Sequence, residues 1–103
     1  MTTPHTSLSN ATSGTGSAAD FEVSRSSISM IVIPTGTILA GVVTLDVSQD
    51  GSAWVPYATS VSLLSGANQI ISANGVAVRY ARGRITTAIT GGGSITCTIM
   101  EAN

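Results

Sequence analysis

The sequence has little charge and no lysine at all. Its four basic residues are all arginine, five acidic residues bring the net charge to -1, and charged residues fill 9% of 103 positions, against roughly 25% in an average soluble protein. Such a chain has no positive field for holding phosphates, so we expect no nucleic-acid partner. A neutral surface of Ser, Thr, Asn and Gly suits contact with other subunits better than repulsion in solution. The composition therefore favours an assembly subunit over a free enzyme.

Side chains used in catalysis or metal binding are also scarce. The lone Cys97 excludes an internal disulfide, and the lone His5 cannot assemble a zinc site or a Ser-His-Asp triad. The glycine run at 91–93 lacks the Lys-Ser/Thr of a phosphate-binding loop and is interpreted as a turn. Cys97 lies in an alternating apolar segment, which predicts a core position. We expect no enzymatic activity, no cofactor and no bound metal.

An uncharged stretch, residues 26–45, has the length of a membrane span. Pro34 and Gly36 interrupt it, and its apolar residues alternate with polar ones as in a strand. Residues 1–19 have neither the basic start nor the apolar block of a signal peptide. We therefore expect neither a membrane span nor secretion.

Composition divides the chain into two segments. Residues 1–19 are almost wholly Thr, Ser, Ala, Gly and Asn, and Leu8 is their only large apolar side chain after Met1. So little apolar area cannot offset backbone entropy, which predicts a flexible N-terminal arm over 1–19 before one β-domain over 20–103. The arm is either a slack tail or a segment ordered on a neighbouring subunit, with Leu8 as a candidate contact. In either case its deletion should leave the domain folded.

From Asp20 onward, short β-type runs are separated by Gly, Pro, Asn and Asp, as in sandwiches and barrels. Period two is clearest where Val43, Leu45 and Val47 share one face while Asp46 takes the other, towards solvent or an arginine. The predicted strands are 21–25, 28–33, 37–48, 53–58, 60–64, 68–72, 76–88 and 94–101. The fold class is all-β: a small antiparallel β-sandwich or jelly-roll-like barrel of about seven or eight strands with an extended N-terminal arm.

One local pattern is specific: an alternating strand runs into Asp50-Gly51 and out to Trp54. Gly51 supplies the positive φ of a tight hairpin, and Trp54 can then fold back on the partner strand. Two roles are open for the aromatic residues. They are core architecture of the hairpin, or Trp54, Tyr57 or Tyr80 stacks on a sugar ring.

Arg79, Arg82 and Arg84 form the one concentration of charge in the fold. They are interpreted either as solvated positions or as surface pairs with Asp46 or Glu22, which contribute little to stability. Alternatively, Arg82 and Arg84 lie on one face and bind carboxylates of a neighbouring subunit through two hydrogen bonds each. All three arginines are candidate partner contacts.

Two segments carry a family resemblance: VSQDGSAW at 47–54 and VRYARGRIT at 78–86, followed by a glycine turn into the last strand. They resemble small β-sandwich virion proteins of tailed bacteriophages, which show S-x-D-G-x-x-W, then Y-x-R-x-R, then a closing strand. The resemblance covers roughly residues 43–100. Discoidin-type jelly rolls, which bind sugars or lipids, share the first pattern, but this chain is shorter and lacks their paired cysteines.

The phage resemblance implies a non-enzymatic virion protein that decorates and stabilises the capsid, as cement proteins do. Its partners would be the major capsid protein or other virion proteins, and a homo-oligomer is expected, with a trimer as one option. It would be located on the capsid surface after assembly in the host cytoplasm. The alternatives are a tail, baseplate or fibre component, or a carbohydrate-binding β-sandwich module.

Overall fold

The computed structural model describes residues 4–60 and 63–101. Its elements are β1 His5–Ala11, β2 Ala19–Thr35, β3 Ala40–Ser48, β4 Trp54–Thr59, a 3-10 turn Leu63–Ser65, β5 Gln69–Thr90 and β6 Ser94–Glu101. The strands pair antiparallel in the order β1-β6-β2-β5-β3-β4. The predicted all-β antiparallel sandwich is confirmed.

Two long strands bend the sheet into two layers. β2 and β5 have 17 and 22 residues; β5 pairs with β2 through its first half and with β3 from Tyr80 onward. A side-chain carbon added at Gly83 would lie 3.1 Å from Met30 Sδ and 3.2 Å from Leu8 Cδ1. The second half of β5 therefore lies face to face on β1 and β2. Each long strand replaces two predicted ones, so the eight predicted runs become fewer strands.

The core lies between the two layers and follows the predicted period of two. Ile95, Cys97 and Ile99 of β6 are fully buried, which confirms the core position of Cys97. Other fully or nearly fully buried large side chains include Phe21, Ile28, Met30, Val32, Val43, Leu45 and Leu63. β3 is buried on its outward face as well, at Thr44, Asp46 and Ser48.

The prediction of a flexible arm over residues 1–19 is wrong for the described residues 5–19. β1 pairs with β6. Leu8 lies opposite Cys97, and only 5% of Leu8 is exposed. The following segment continues along β5, where Ile89 N–H donates to the Thr12 carbonyl at 2.8 Å and Ile85 N–H to Gly14 at 2.9 Å. The segment is ordered because it satisfies backbone groups of two strands, a contribution that apolar content does not measure. No domain boundary separates residues 19 and 20, which both belong to β2.

The prediction of a strand over residues 60–64 is also wrong for the residues of this range that the structure describes. Leu63–Ser65 forms a single 3-10 turn that puts Leu63 into the core, while residues 61 and 62 lie outside the described residues. This turn is the helical element of the described chain, and no helix there is long and apolar enough to cross a membrane.

Candidate interaction surfaces

A charged cluster occupies the outward face of β3. The Asp46 carboxylate is 1% exposed between two arginines of β5. Arg84 donates from Nε to Asp46 Oδ2 at 2.8 Å and from Nη2 to Oδ1 at 3.3 Å, and Arg82 donates from Nε to Oδ2 at 3.2 Å. We call Asp46, Arg82 and Arg84 the arginine cluster. The prediction that Asp46 meets solvent or an arginine is confirmed for the arginine.

The register of the sheet explains why this cluster forms. Asp46 lies opposite Arg82 on β5, and Thr44 lies opposite Arg84, so the carboxylate sits between the two guanidinium groups. The hydrogen bond to Asp46 raises the pKa of Arg84, with charge attraction adding to it. One carboxylate cannot neutralise two guanidinium groups, so the cluster keeps one positive charge. The arginine side chains remain 24% and 34% exposed.

Trp54 belongs to this same outward face. Its ring lies 4.1 Å from the Arg82 guanidinium carbon, in cation–π geometry. Trp54 is half-buried and pairs with Ser48 across β3 and β4. It therefore packs on the outside of the sheet, not in the sandwich core.

The hairpin between β3 and β4 is held by Asp50. Because Ser48 pairs with Trp54, the connection is the five-residue loop 49–53 and not a two-residue turn. Asp50 Oδ1 accepts the N–H groups of Ala53 at 2.9 Å and Ser52 at 2.8 Å, and these bonds lower its pKa. Gly51 takes φ +82°, as predicted for this position. The Asp50-Gly51 pair is thus accounted for by loop geometry.

A groove of about 440 Å³ opens on the other side of β4. Its apolar walls include Val47, Val55, Tyr57 and Val78, and Gln49 closes one part by donating from Nε2 to the Ala77 carbonyl at 3.1 Å. Tyr57 lines this groove, whereas Trp54 lies on the opposite face of β4. The two aromatic residues do not form one stacking platform.

The remaining sequence candidates lie apart from the arginine cluster. Arg79 pairs with Asp20 at 3.1 Å, both side chains more than 40% exposed, and this hydrogen bond lowers the Asp20 pKa. Leu8 lies inside the sandwich, so the proposal that it contacts a partner is wrong for the folded chain. The arginine trio is therefore two separate groups, one exposed pair and one half-buried cluster.

Sequence reasoning missed an apolar surface on the opposite layer. Ile31 and Ile33 of β2, Ile70 of β5 and Met100 of β6 are 39%, 39%, 69% and 37% exposed. Ile31 pairs with Ile70 on one side and with Thr98 on the other, so these side chains share the outward face. We call these four residues the outer apolar patch. The sequence signal for this surface is that apolar residues occupy both odd and even positions of segment 28–33, so both faces of that strand carry apolar side chains.

No family model and no curated protein matches the chain. The fold defines a small antiparallel β-sandwich. A solved structure that shares this fold is that of the SPBc2 prophage-derived protein YomS, with a TM-score of 0.61, 12% sequence identity, and coverage of 94% of this chain and 90% of that chain. At this identity the likeness shows the fold. In the described residues, no group of three His, Cys, Asp or Glu side chains is placed to hold a metal ion.

Proposed function

We propose that this chain is a non-enzymatic structural protein of a phage particle, which decorates and stabilises the capsid. The observation that carries the proposal is the fold likeness to a prophage-derived protein over 94% of the chain. The resemblance of segments 47–54 and 78–86 to phage virion proteins supports the same origin. Fold likeness alone is an analogy for function, so the other support comes from the side chains.

The ionisable side chains support a structural role. Asp46 is held by two arginines, and Asp20 by one. Burial raises the pKa of the Cys97 thiol to about 12, so its nucleophilic thiolate does not form near neutral pH. Asp46 and Cys97 belong to the packed structure, the exposed Asp20 pair contributes little to stability, and none of these groups combines exposure with the reactivity that catalysis needs.

Two surfaces are suited to contacts in a shell. The arginine cluster offers a residual positive charge to a carboxylate, and the outer apolar patch offers side chains that gain by leaving water. In a capsid each contact repeats at many symmetry-related positions, where avidity makes individually weak contacts effective. Stabilisation would follow when one copy contacts adjacent capsid subunits.

The test compares particles from a host strain that carries the gene with particles from the same strain after its deletion. We expect the chain to co-purify with wild-type heads, and the deletion particles to release DNA at a lower temperature. Purified chain added back should restore the higher temperature. Absence of the chain from purified particles would contradict a virion role. Presence only in separated tails would support the tail, baseplate or fibre alternative and contradict capsid decoration.

The groove beside Tyr57 favours a second candidate, a carbohydrate-binding module. Its wall carries the exposed ring of Tyr57, which is the kind of side chain that stacks on a sugar ring. Gln49 and Asp50 also line the groove, and their side chains already bond the Ala77 carbonyl and the loop N–H groups. A glycan array gives the test. Saturable binding that Tyr57→Ala abolishes and Trp54→Ala leaves intact would support this function, because Trp54 lies outside the groove. No saturable binding would exclude it.

A further inference from the structure

Asn74 and Gly75 form the one asparagine–glycine pair of the sequence, and they lie at an irregular point of the sheet. Both belong to β5, and both are exposed. Asn74 pairs with Ser27, and the next pair along the two strands is Val78 with Arg25, so Gly75 lies in a bulge of β5. A bulge leaves its extra residues unpaired and disrupts the ladder locally. The fold therefore gives this pair more freedom than a regular strand would.

The surroundings of the pair favour attack of the Gly75 nitrogen on the side chain of Asn74. Gly75 takes φ +76°, and a side-chain carbon built on it would have no described heavy atom within 4 Å. The amide oxygen Oδ1 of Asn74 accepts a hydrogen bond from Ser27 Oγ at 2.8 Å. This bond draws electron density from Cγ and stabilises the negative charge that attack would place on the oxygen. An activated carbon thus lies beside an unhindered backbone nitrogen.

The related pair Asp50-Gly51 shows what protection looks like in this chain. Gly51 N–H donates to Ser48 Oγ at 2.9 Å, which holds the nitrogen in place. Asp50 Oδ1 accepts the N–H groups of Ser52 and Ala53, and these bonds lower the Asp50 pKa. An ionised carboxylate is a poor electrophile, because attack would put a second negative charge on the same group. We therefore expect the two pairs to differ in reactivity.

We propose that Asn74 is a site of spontaneous deamidation in the folded chain. Hydroxide removes the proton of the Gly75 N–H, and the nitrogen forms a bond to Asn74 Cγ. The bond from Cγ to Nδ2 breaks, and Nδ2 leaves as ammonia after taking a proton from water, which restores the hydroxide. Water then opens the resulting succinimide at one of its two carbonyl–nitrogen bonds. The products are aspartate and isoaspartate, and nothing is oxidised or reduced.

The modification changes the surface beside the groove. Either product replaces a neutral amide by a carboxylate, so it adds one negative charge to a chain whose net charge is -1. The charge arises next to Tyr57, whose Oη lies 3.5 Å from the Asn74 carbonyl oxygen. Isoaspartate also lengthens the backbone by one carbon, at a point where the register is already interrupted. The sandwich should therefore stay folded. This inference is independent of the proposed virion function.

The experiment follows the purified full chain over time, in buffer and in urea, by peptide mass spectrometry. In buffer the residue at position 74 should gain about one dalton, because OH replaces NH₂. Conversion should be about tenfold faster at pH 8 than at pH 7, because the deprotonated fraction of so weak an acid scales with hydroxide. The rate in buffer should stay within roughly tenfold of the rate in urea, since little structure has to open at the bulge.

Two controls are matched to Asn74. Asn68 is also exposed but precedes Gln69, so it should stay unmodified in the same spectra. Gly75→Ala keeps Asn74 and puts a methyl group beside the attacking nitrogen, so conversion should slow at least tenfold; circular dichroism checks that this variant is folded. If it does not fold, the comparison with Asn68 still decides.

Three results would count against the proposal. Conversion of Asn74 in urea with none in buffer would show that the fold protects the pair, and this would overturn the proposal. Equal conversion of Asn68 and Asn74 would remove the role of the glycine and the bulge. Isoaspartate at Asp50 in the folded chain would refute the argument that hydrogen bonds of the loop explain the difference between the two pairs.

Discussion

Replacing Asp46 by Asn tests how much the arginine cluster contributes to stability. The side chain keeps its shape, but the carboxylate that binds Arg82 and Arg84 is lost. If the amide oxygen takes the Oδ2 position, two hydrogen bonds from the charged guanidinium groups persist, but they are weaker because the acceptor is now neutral. The amide N–H₂ then faces Arg84 Nη2, which was 3.3 Å from Oδ1, so donor meets donor. The two half-buried guanidinium groups of Arg82 and Arg84 also lose their counter-charge.

Removing one member of a buried ion pair costs about 3 to 5 kcal/mol. Water reaches both arginines, whose side chains are 24% and 34% exposed, so we expect the lower end, about 3 kcal/mol. For a small domain this lowers the urea midpoint by about 1 to 3 M. Trp54 is the single tryptophan and lies against Arg82, so its fluorescence reports the transition.

The matched control is Asp20→Asn, which removes the carboxylate of an exposed pair with Arg79. Its urea midpoint should barely move, since water replaces the lost contact. Equal midpoints for Asp46→Asn and Asp20→Asn would refute the argument that burial makes the arginine cluster important. A higher midpoint for Asp46→Asn would show that desolvation of the carboxylate outweighs its hydrogen bonds.

Three further predictions concern the stability of the folded chain. Leu8→Ala should lower the free energy of unfolding, measured in urea, by about 2 to 5 kcal/mol, as other core truncations do. The control Leu39→Ala, at an exposed position, should change it by less than about 0.5 kcal/mol. If Leu8→Ala leaves the free energy of unfolding unchanged, the interpretation of residues 1–19 as a flexible arm is restored. Gly16→Ala should unfold or strongly destabilise the chain, visible as a lower melting temperature, because its Cβ would collide with the Ser7 carbonyl. Between pH 9 and about 12 the free energy of unfolding of the wild type should fall, because folding raises the Cys97 pKa and the thiol of the unfolded chain ionises first. Cys97→Ala should lack this part of the pH dependence. Identical profiles of unfolding free energy against pH for the two proteins would contradict the prediction.

Period-two patterns predicted the features that depend on local alternation. They predicted that Asp46 lies on the face opposite Val43, Leu45 and Val47, that Cys97 is buried, and that the last strand spans residues 94–101. The predicted strands 68–72 and 76–88 are parts of one strand, β5, and the predicted strands 21–25 and 28–33 are parts of β2, so the two predicted breaks are wrong. Gly75 takes φ +76° within β5, and the register of β2 shifts between Arg25 and Ser27, so both strands continue through the predicted breaks. Turn residues specify a local bend, whereas tertiary pairing decides whether the strand ends there.

The segment before residue 20 could not be predicted from its own composition. Its order depends on backbone groups of β5 and β6, which lie more than 60 residues away in sequence. The outer apolar patch was missed for a related reason. Apolar residues at both odd and even positions of segment 28–33 indicate that both faces of the strand are buried. Only the order of the strands in the sheet shows that one of these faces points outward.

The pairing of β1 with β6 has a consequence for how the chain folds. During synthesis the first strand emerges long before its partner, so it cannot be placed until the last strand has left the ribosome. Closing so long a loop before any contact is gained makes folding slow. The early strand is also left open to a wrong partner during that time. Completion of the sandwich is therefore a late event, and a truncated chain should lack the contacts that hold its own beginning.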